Sequence, residues 1–118
     1  MKPLIRMMSV GLAVLALSGG GAWAAGSNAL DPAKIEAAKT PADHEAIAKA
    51  YEAQARSLEK MAEMHKNLSE TYAQPGGKSW QAAQAKHCDS VAASLKSAAQ
   101  EDRALATEHR KMAKEAGH

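Results

Sequence analysis

The feature that most constrains the fold is a short break between two long runs of helix-forming residues. Pro75, Gly76 and Gly77 follow one another, whereas 42–74 and 78–116 contain neither glycine nor proline. Both runs are rich in Ala, Glu, Lys, Gln and Leu, which favour the α-helix. Proline disfavours helical geometry at the residue before it, and glycine permits the positive φ of a tight reversal. Because so short a connection makes its flanking helices antiparallel neighbours, the sequence predicts an all-α helical hairpin.

Helix start signals give the predicted boundaries. Thr40 followed by Pro41 and Asp43 is typical of a helix N-terminus, and Ser79 is predicted to cap the second helix. The predicted hairpin occupies 41–118, with a helix over 41–74, a turn over 75–78 and a helix over 79–116. Before it, 25–40 is predicted to hold a flexible lead and a short helix that begins at Asp31-Pro32 and ends near Lys39, with Ile35 as its one strong apolar anchor.

A heptad spacing predicts which side chains of each helix face the other. In the first helix the predicted row is His44, Ala48, Tyr51, Ala55, Leu58, Ala62, His65, Ser69 and Tyr72. In the second helix it is Trp80, Ala83, His87, Val91, Leu95, Ala98, Asp102, Leu105, His109 and Met112. The regular small residues of the first row predict a close helix approach.

A second apolar row on the first helix predicts a further partner. Its residues are Ile47, Tyr51, Leu58, Met61, Met64 and Leu68. One helix contact does not need both rows, and a chain of this size with no Phe buries little apolar surface by itself. The sequence therefore predicts a homodimer in which two hairpins form a four-helix bundle.

Residues 1–24 have the pattern of a secretory signal peptide. Lys2 and Arg6 precede an apolar stretch, and Ala22-Trp23-Ala24 is a small-x-small cleavage pattern. We expect cleavage near Ala24/Ala25 and a periplasmic or secreted protein, with an uncleaved anchor disfavoured because the apolar stretch is short.

The balance of basic and acidic residues indicates which kinds of binding partner are not expected. The chain has 15 basic and 13 acidic residues; Lys2 and Arg6 leave with the signal peptide, so the mature chain has 13 of each. This balance predicts neither a nucleic-acid-binding surface nor a basic amphipathic helix for a membrane. No nucleophile triad, nucleotide-binding loop or paired carboxylates suggest an enzyme.

Four histidines form two predicted pairs across the hairpin. Residues equally far from the turn come level, so His65 is predicted to face His87 near the turn and His44 to face His109 near the open end. Facing imidazoles on antiparallel helices can bind one ion. The sequence therefore predicts a metal-binding protein.

Sulfur ligands lie close to these histidines in the sequence. Met61, Met64 and Cys88 accompany the predicted near pair, and Met112 follows His109 by three residues. Thioether, thiolate and imidazole together favour Cu(I), although acids beside the distal pair, Glu45 and Glu108, also suit a harder ion. Cys88 has three open roles: ligand, buried free thiol, or half of a disulfide between two copies.

The spacings His109-x-x-Met112 and Met61-x-x-x-His65 resemble motifs of periplasmic silver- and copper-binding proteins. We therefore predict an exported copper-binding protein for storage, delivery or tolerance, with a metal-trafficking partner. The phrases Ala42-Asp43-His44-Glu45, Tyr51-Glu52-Ala53-Gln54-Ala55 and Glu108-His109-Arg110-Lys111-Met112 are also similar to uncharacterised small secreted bacterial helical proteins, which bring no activity with them.

Two other functions fit the same residues. Paired histidines on facing helices can ligate haem non-covalently, since no CxxCH attachment motif is present. Alternatively, the protein is a structural or interaction coiled-coil module, or a small periplasmic chaperone. In that case the histidines are polar seam residues that set the helix register.

Overall fold

The computed structural model describes residues 29–118, which form three α-helices and no β-strand. Helix α1 spans Pro32–Ala37, α2 spans Pro41–Tyr72 and α3 spans Ser79–Ala116. The two long helices pack against each other along their length, so the predicted all-α hairpin is confirmed. The predicted signal peptide over 1–24 and its cleavage site lie outside the described residues.

Side-chain caps begin the first two helices where the sequence predicts them. Asp31 accepts a hydrogen bond from the Ala33 amide at 3.0 Å, and Pro32 opens α1. In α2, the Thr40 hydroxyl accepts from the Asp43 amide at 3.1 Å, while the Asp43 carboxylate accepts from the Thr40 amide at 3.0 Å. The amides of Lys39 and Thr40 both donate to the Asp43 carboxylate and hold the pKa of Asp43 below its usual range. The reciprocal capping box explains why α2 begins at its predicted residue.

A turn centred on Pro75 and Gly76 reverses the chain. The Gly77 amide donates to the Gln74 carbonyl at 3.3 Å, and Gly76 has a φ of +80°. Proline at the second position and a glycine with positive φ at the third are the signature of a type II turn. Helix α2 ends at Tyr72, two residues before the predicted Gln74, because the turn itself begins at Gln74.

The start of α3 differs from the prediction in its cap. Ser79 is the first helical residue, and Lys78 is the N-cap. The Gln81 side chain accepts from the Lys78 amide at 2.6 Å. The N-cap amide therefore has a hydrogen-bond partner within the first turn of the helix. Helix α3 then continues to Ala116, as predicted, and Gly117 follows it.

Small residues form the closely packed part of α2. Ala48, Ala55 and Ala62 are all 0% exposed, and Ser69 continues the row at 5%. The alternate seam residues, such as Tyr51 and Leu58, are half-buried. The heptad row predicted for α2 is therefore confirmed, since its small members are enclosed by α3 and its larger members lie beside them.

The heptad row predicted for α3 is largely wrong. The buried residues of α3 are Ala85, Cys88, Ala92, Ala99, Asp102, Ala106, His109 and Ala113. Only Asp102, His109 and the half-buried Leu95 were in the predicted row. The residues predicted to face α2 but exposed in the structure are Trp80, Ala83, His87, Val91, Ala98, Leu105 and Met112. The prediction followed the larger apolar side chains, whereas a seam this close accepts alanine.

One edge of the α2–α3 interface is lined by opposite charges. Arg103 donates hydrogen bonds to both oxygens of Glu59 at 2.8–3.1 Å, and Arg110 pairs with Glu52. These guanidinium groups hold the pKa values of Glu52 and Glu59 below their usual range. Because exposed ion pairs add little stability, their main effect is to favour this register over a slipped one.

The other edge of the interface is apolar and exposed. We call it the apolar edge; it consists of Met61, Leu68, Val91, Leu105 and Met112, each 37–41% exposed. Each of these residues directly precedes a buried small residue of the seam. Successive residues differ by about 100° around a helix, so this row lies opposite the charged edge.

Helix α1 adds little to the hairpin. It contains no buried residue, and Ile35, its predicted anchor, is half-buried. Between residues 29 and 118, no helix combines the length and the apolar character needed to cross a membrane.

Candidate metal centre

His44 and His109 face each other at the open end of the hairpin. Their Nδ1 atoms are 3.2 Å apart, the ring centroids are 5.4 Å apart, and the ring planes are inclined by 31°. His44 lies in the first turn of α2, and His109 lies about two turns before the end of α3. The pairing predicted from the turn is confirmed for these two residues.

His109 is held in a form that can bind a metal. It is 8% exposed, and the Tyr51 ring stacks on it with a centroid distance of 5.8 Å. Burial lowers the pKa of His109, and the neighbouring His44 lowers it further. At neutral pH the ring is therefore uncharged, and a neutral imidazole has the free nitrogen lone pair that a metal requires.

The 3.2 Å separation of the two Nδ1 atoms suits two arrangements. One ring can donate an N–H to the other, which is an ordinary hydrogen bond between neutral imidazoles. Alternatively, both nitrogens can bind one ion. At metal–nitrogen bonds of about 2.0–2.1 Å, this separation sets an angle of about 100–105° at the ion. Such an angle fits a tetrahedral ion with further ligands and excludes a linear ion held by these two nitrogens alone.

The pair supplies two ligands of the set that an ion would need. Among residues 29–118, no group of three or more His, Cys, Asp and Glu side chains is placed to hold a metal. Met112 lies one turn beyond His109 on the same side of α3, and it is 40% exposed. The carboxylate of Glu45 lies 3.9 Å from Arg110. Further ligands would therefore come from Met112, water or a second copy of the chain.

The predicted pairing of His65 with His87 near the turn is wrong. His87 is exposed, whereas Cys88, the next residue, is buried in the seam at 9% exposure. A shift of one residue rotates a side chain by about 100° around the helix. Cys88 therefore takes the interface position that His87 was predicted to occupy.

The two methionines predicted to complete that site lie outside the seam. Met61 belongs to the apolar edge, and Met64 is 50% exposed. Cys88 is a free thiol. Its burial between α2 and α3 means that a disulfide to another copy would require the hairpin to open.

The contact of Tyr51 with His109 was not predicted. A signal for it existed, because Tyr51 lies one heptad after His44 on the same row. Asp102, a polar member of the row predicted for α3, is buried at 7% exposure, and its Oδ2 atom has no hydrogen-bond partner. Burial raises the pKa of Asp102, and a hydrogen bond from Gln54 opposes the rise.

Comparisons with protein-family models, with curated proteins and with solved structures each gave no match to this chain. The motif resemblance to periplasmic copper- and silver-binding proteins therefore stays a prediction.

Proposed function

We propose that this is an exported metal-binding protein that holds a copper ion between His44 and His109 at the open end of the hairpin. The observation that carries the proposal is the 3.2 Å separation of the two Nδ1 atoms, with His109 kept neutral by burial. Two imidazoles fixed on packed helices need little rearrangement to share an ion, and such preorganisation favours binding.

Copper is favoured by the sulfur ligand that lies nearest to the pair in sequence. The thioether of Met112 is soft and partly exposed, and a soft sulfur beside imidazole selects Cu(I) over ions that prefer oxygen. Storage, delivery and tolerance all use a site of this kind.

The test is a titration of Cu(I) under anaerobic conditions, in competition with a chromophoric Cu(I) chelator. We expect His44→Ala and His109→Ala each to weaken binding at the open end by about tenfold or more, because each removes one ligand. His118→Ala is the matched control, since His118 is an exposed histidine near the same end. Equal affinity in all three variants and the unchanged protein would reject the site.

A structural coiled-coil module is the competing function, and one observation favours it. The His44–His109 distance also suits a hydrogen bond that fixes the register without a metal. In that case added Cu(I) and chelators leave the melting temperature unchanged, whereas an ion bound to the native state alone raises it. Haem is disfavoured, because axial ligands stand on opposite sides of the iron and the 3.2 Å gap leaves no room for a porphyrin between them.

We also propose that the apolar edge is the surface through which two copies form a four-helix bundle. The five side chains of this edge face solvent in a single hairpin, while the charged edge is already paired within the chain. From the level of Met112 to the level of Leu68 this edge is about 40 Å long, and a face of that length and about 18 Å wide would bury about 1,400 Å² over both copies, which is within the standard range for a stable interface.

Light scattering tests this dimer. Leu105→Glu places a charge in the apolar edge and is expected to yield monomers at a concentration where the unchanged protein is dimeric. Ala104→Glu adds the same charge at the adjacent exposed position and is expected to leave the dimer intact. A monomeric unchanged protein, or equal masses for both variants, would contradict the proposed interface.

A further inference from the structure

His65 has a buried ring nitrogen that nothing in the described hairpin satisfies. Its Nδ1 atom is shielded from solvent and has no hydrogen-bond partner. Leaving a buried polar atom unpaired costs free energy, and natural proteins usually supply a partner or a ligand. The only other buried side-chain atom of this kind between residues 29 and 118 is Oδ2 of Asp102.

The helix register brings Cys88 level with His65. His65 lies three heptads after His44 on α2, and Cys88 lies three heptads before His109 on α3. Since His44 and His109 are in contact, the same spacing on both helices brings His65 and Cys88 level. The register holds beyond this layer as well, because Tyr72 and Trp80 meet near the turn with ring centroids 6.2 Å apart.

The layer between the two residues is closed by small side chains. Ala62 and Ala92 lie on one side of it along the helices, at 0% and 4% exposure, and Ser69 and Ala85 lie on the other at 5% and 7%. Cys88 is itself 9% exposed. Water is therefore largely kept from the sulfur, and Nδ1 of the half-buried His65 is itself shielded from solvent.

We propose that His65 and Cys88 are the protein ligands of a second metal site, specific for a thiophilic monovalent ion such as Cu(I). Cu(I) accepts two ligands in a linear arrangement, and a thiolate with an imidazole is a soft pair. The ion supplies the partner that Nδ1 of His65 lacks. The proposal rests on the proposed metal-binding function only for the identity of the ion, because none of its residues belongs to the open-end pair.

Binding at this site releases a proton. The Cys88 thiol loses its hydrogen to solvent as the sulfur–copper bond forms, while copper stays Cu(I) and nothing is oxidised or reduced. His65 contributes the lone pair of Nδ1. The open-end pair contains no thiol and Cys88 is the single cysteine of the chain, so a thiolate-to-copper charge-transfer band marks the His65–Cys88 site specifically.

The experiment is an anaerobic Cu(I) titration of the full chain in weak buffer, followed by a pH indicator and by ultraviolet absorption. We expect one proton from Cys88 for each ion bound at the His65–Cys88 site, together with a thiolate-to-copper charge-transfer band. Both signals should be absent from Cys88→Ser. His65→Ala should weaken this binding by about tenfold or more, while His87→Ala, the exposed neighbour, should leave it unchanged.

Three results would overturn the proposal. One is an unchanged charge-transfer band in Cys88→Ser, and another is equal affinity in His65→Ala and His87→Ala. Loss of proton release in a His44→Ala/His109→Ala double variant with an intact helical spectrum is the third, because it would tie both signals to the open-end pair. If that variant keeps the proton-releasing site and the single open-end variants bind as the unchanged protein does, only the proposed function fails. Circular dichroism of each variant checks that the hairpin still folds.

Discussion

Replacing a seam alanine with leucine tests how closely α2 and α3 approach each other. Ala55 is 0% exposed and lies midway along α2, so three additional carbon atoms cannot be placed without separating the helices or straining rotamers. Overpacking of this kind costs about 1–3 kcal/mol. For a domain of about 60–100 residues, 1 kcal/mol lowers the melting temperature by about 4–8 °C. We therefore expect Ala55→Leu to melt at least about 4 °C below the unchanged protein.

Ala104→Leu is the matched control. Ala104 is exposed on α3, so the same substitution changes apolar surface and helix propensity without entering the seam. We expect its melting temperature, measured by circular dichroism at 222 nm, to shift by no more than about 2 °C, since surface substitutions usually stay within about 0.5 kcal/mol. Equal melting temperatures for Ala55→Leu and the unchanged protein would refute close packing at this seam.

Three further predictions concern the seam and the turn. Asp102→Asn should stabilise the protein by about 1 kcal/mol in urea unfolding at pH 7, because it removes a buried charge, while the exposed Asp89→Asn should be neutral; destabilisation by the first would contradict this reasoning. The folded state lowers the pKa of His109, so the unfolded state binds its proton more readily, and the free energy of unfolding should fall as pH drops below about 6.5. His109→Gln should reduce the dependence of this free energy on pH between pH 6.5 and 5. Equal pH dependence in the variant and the unchanged protein would contradict the reasoning. Gly76→Ala should cost about 1–2 kcal/mol from its φ of +80° alone, since its added Cβ has open space; an unchanged melting temperature would show that the turn is not strained.

The architecture followed from local signals that each have one interpretation. Pro75 and Gly76 marked the reversal, and Thr40 with Asp43 marked the start of α2, because these residues act through their own backbone or their nearest neighbours. The cap of α3 was missed since lysine is not a capping residue. Its amide is satisfied by Gln81, three residues later.

The facing side of α3 required information that a single helix does not contain. Helix α3 has two heptad rows that could face α2, one of alanines and one that includes Val91 and Leu105. Hydrophobicity alone favours the row with the larger side chains. The alanine row of α2 was the available signal, since close packing on one side implies small residues on the other. Because the prediction did not use this signal, it placed His87 in the seam instead of the next residue, Cys88.

Part of the candidate site was predicted correctly despite the error in the heptad row of α3. His109 belongs to both the predicted and the observed seam, so its contact with His44 was correctly placed. The burial that keeps His109 neutral was not predictable, because it depends on the Tyr51 ring and on the helix separation.

Anomalous X-ray diffraction from crystals grown with copper tests the central claim most directly. The account predicts an anomalous density peak between His44 and His109, about 2 Å from each Nδ1 atom. Copper bound only at exposed histidines such as His87 and His118, with the His44 and His109 rings hydrogen-bonded to each other and no peak between them, would contradict it.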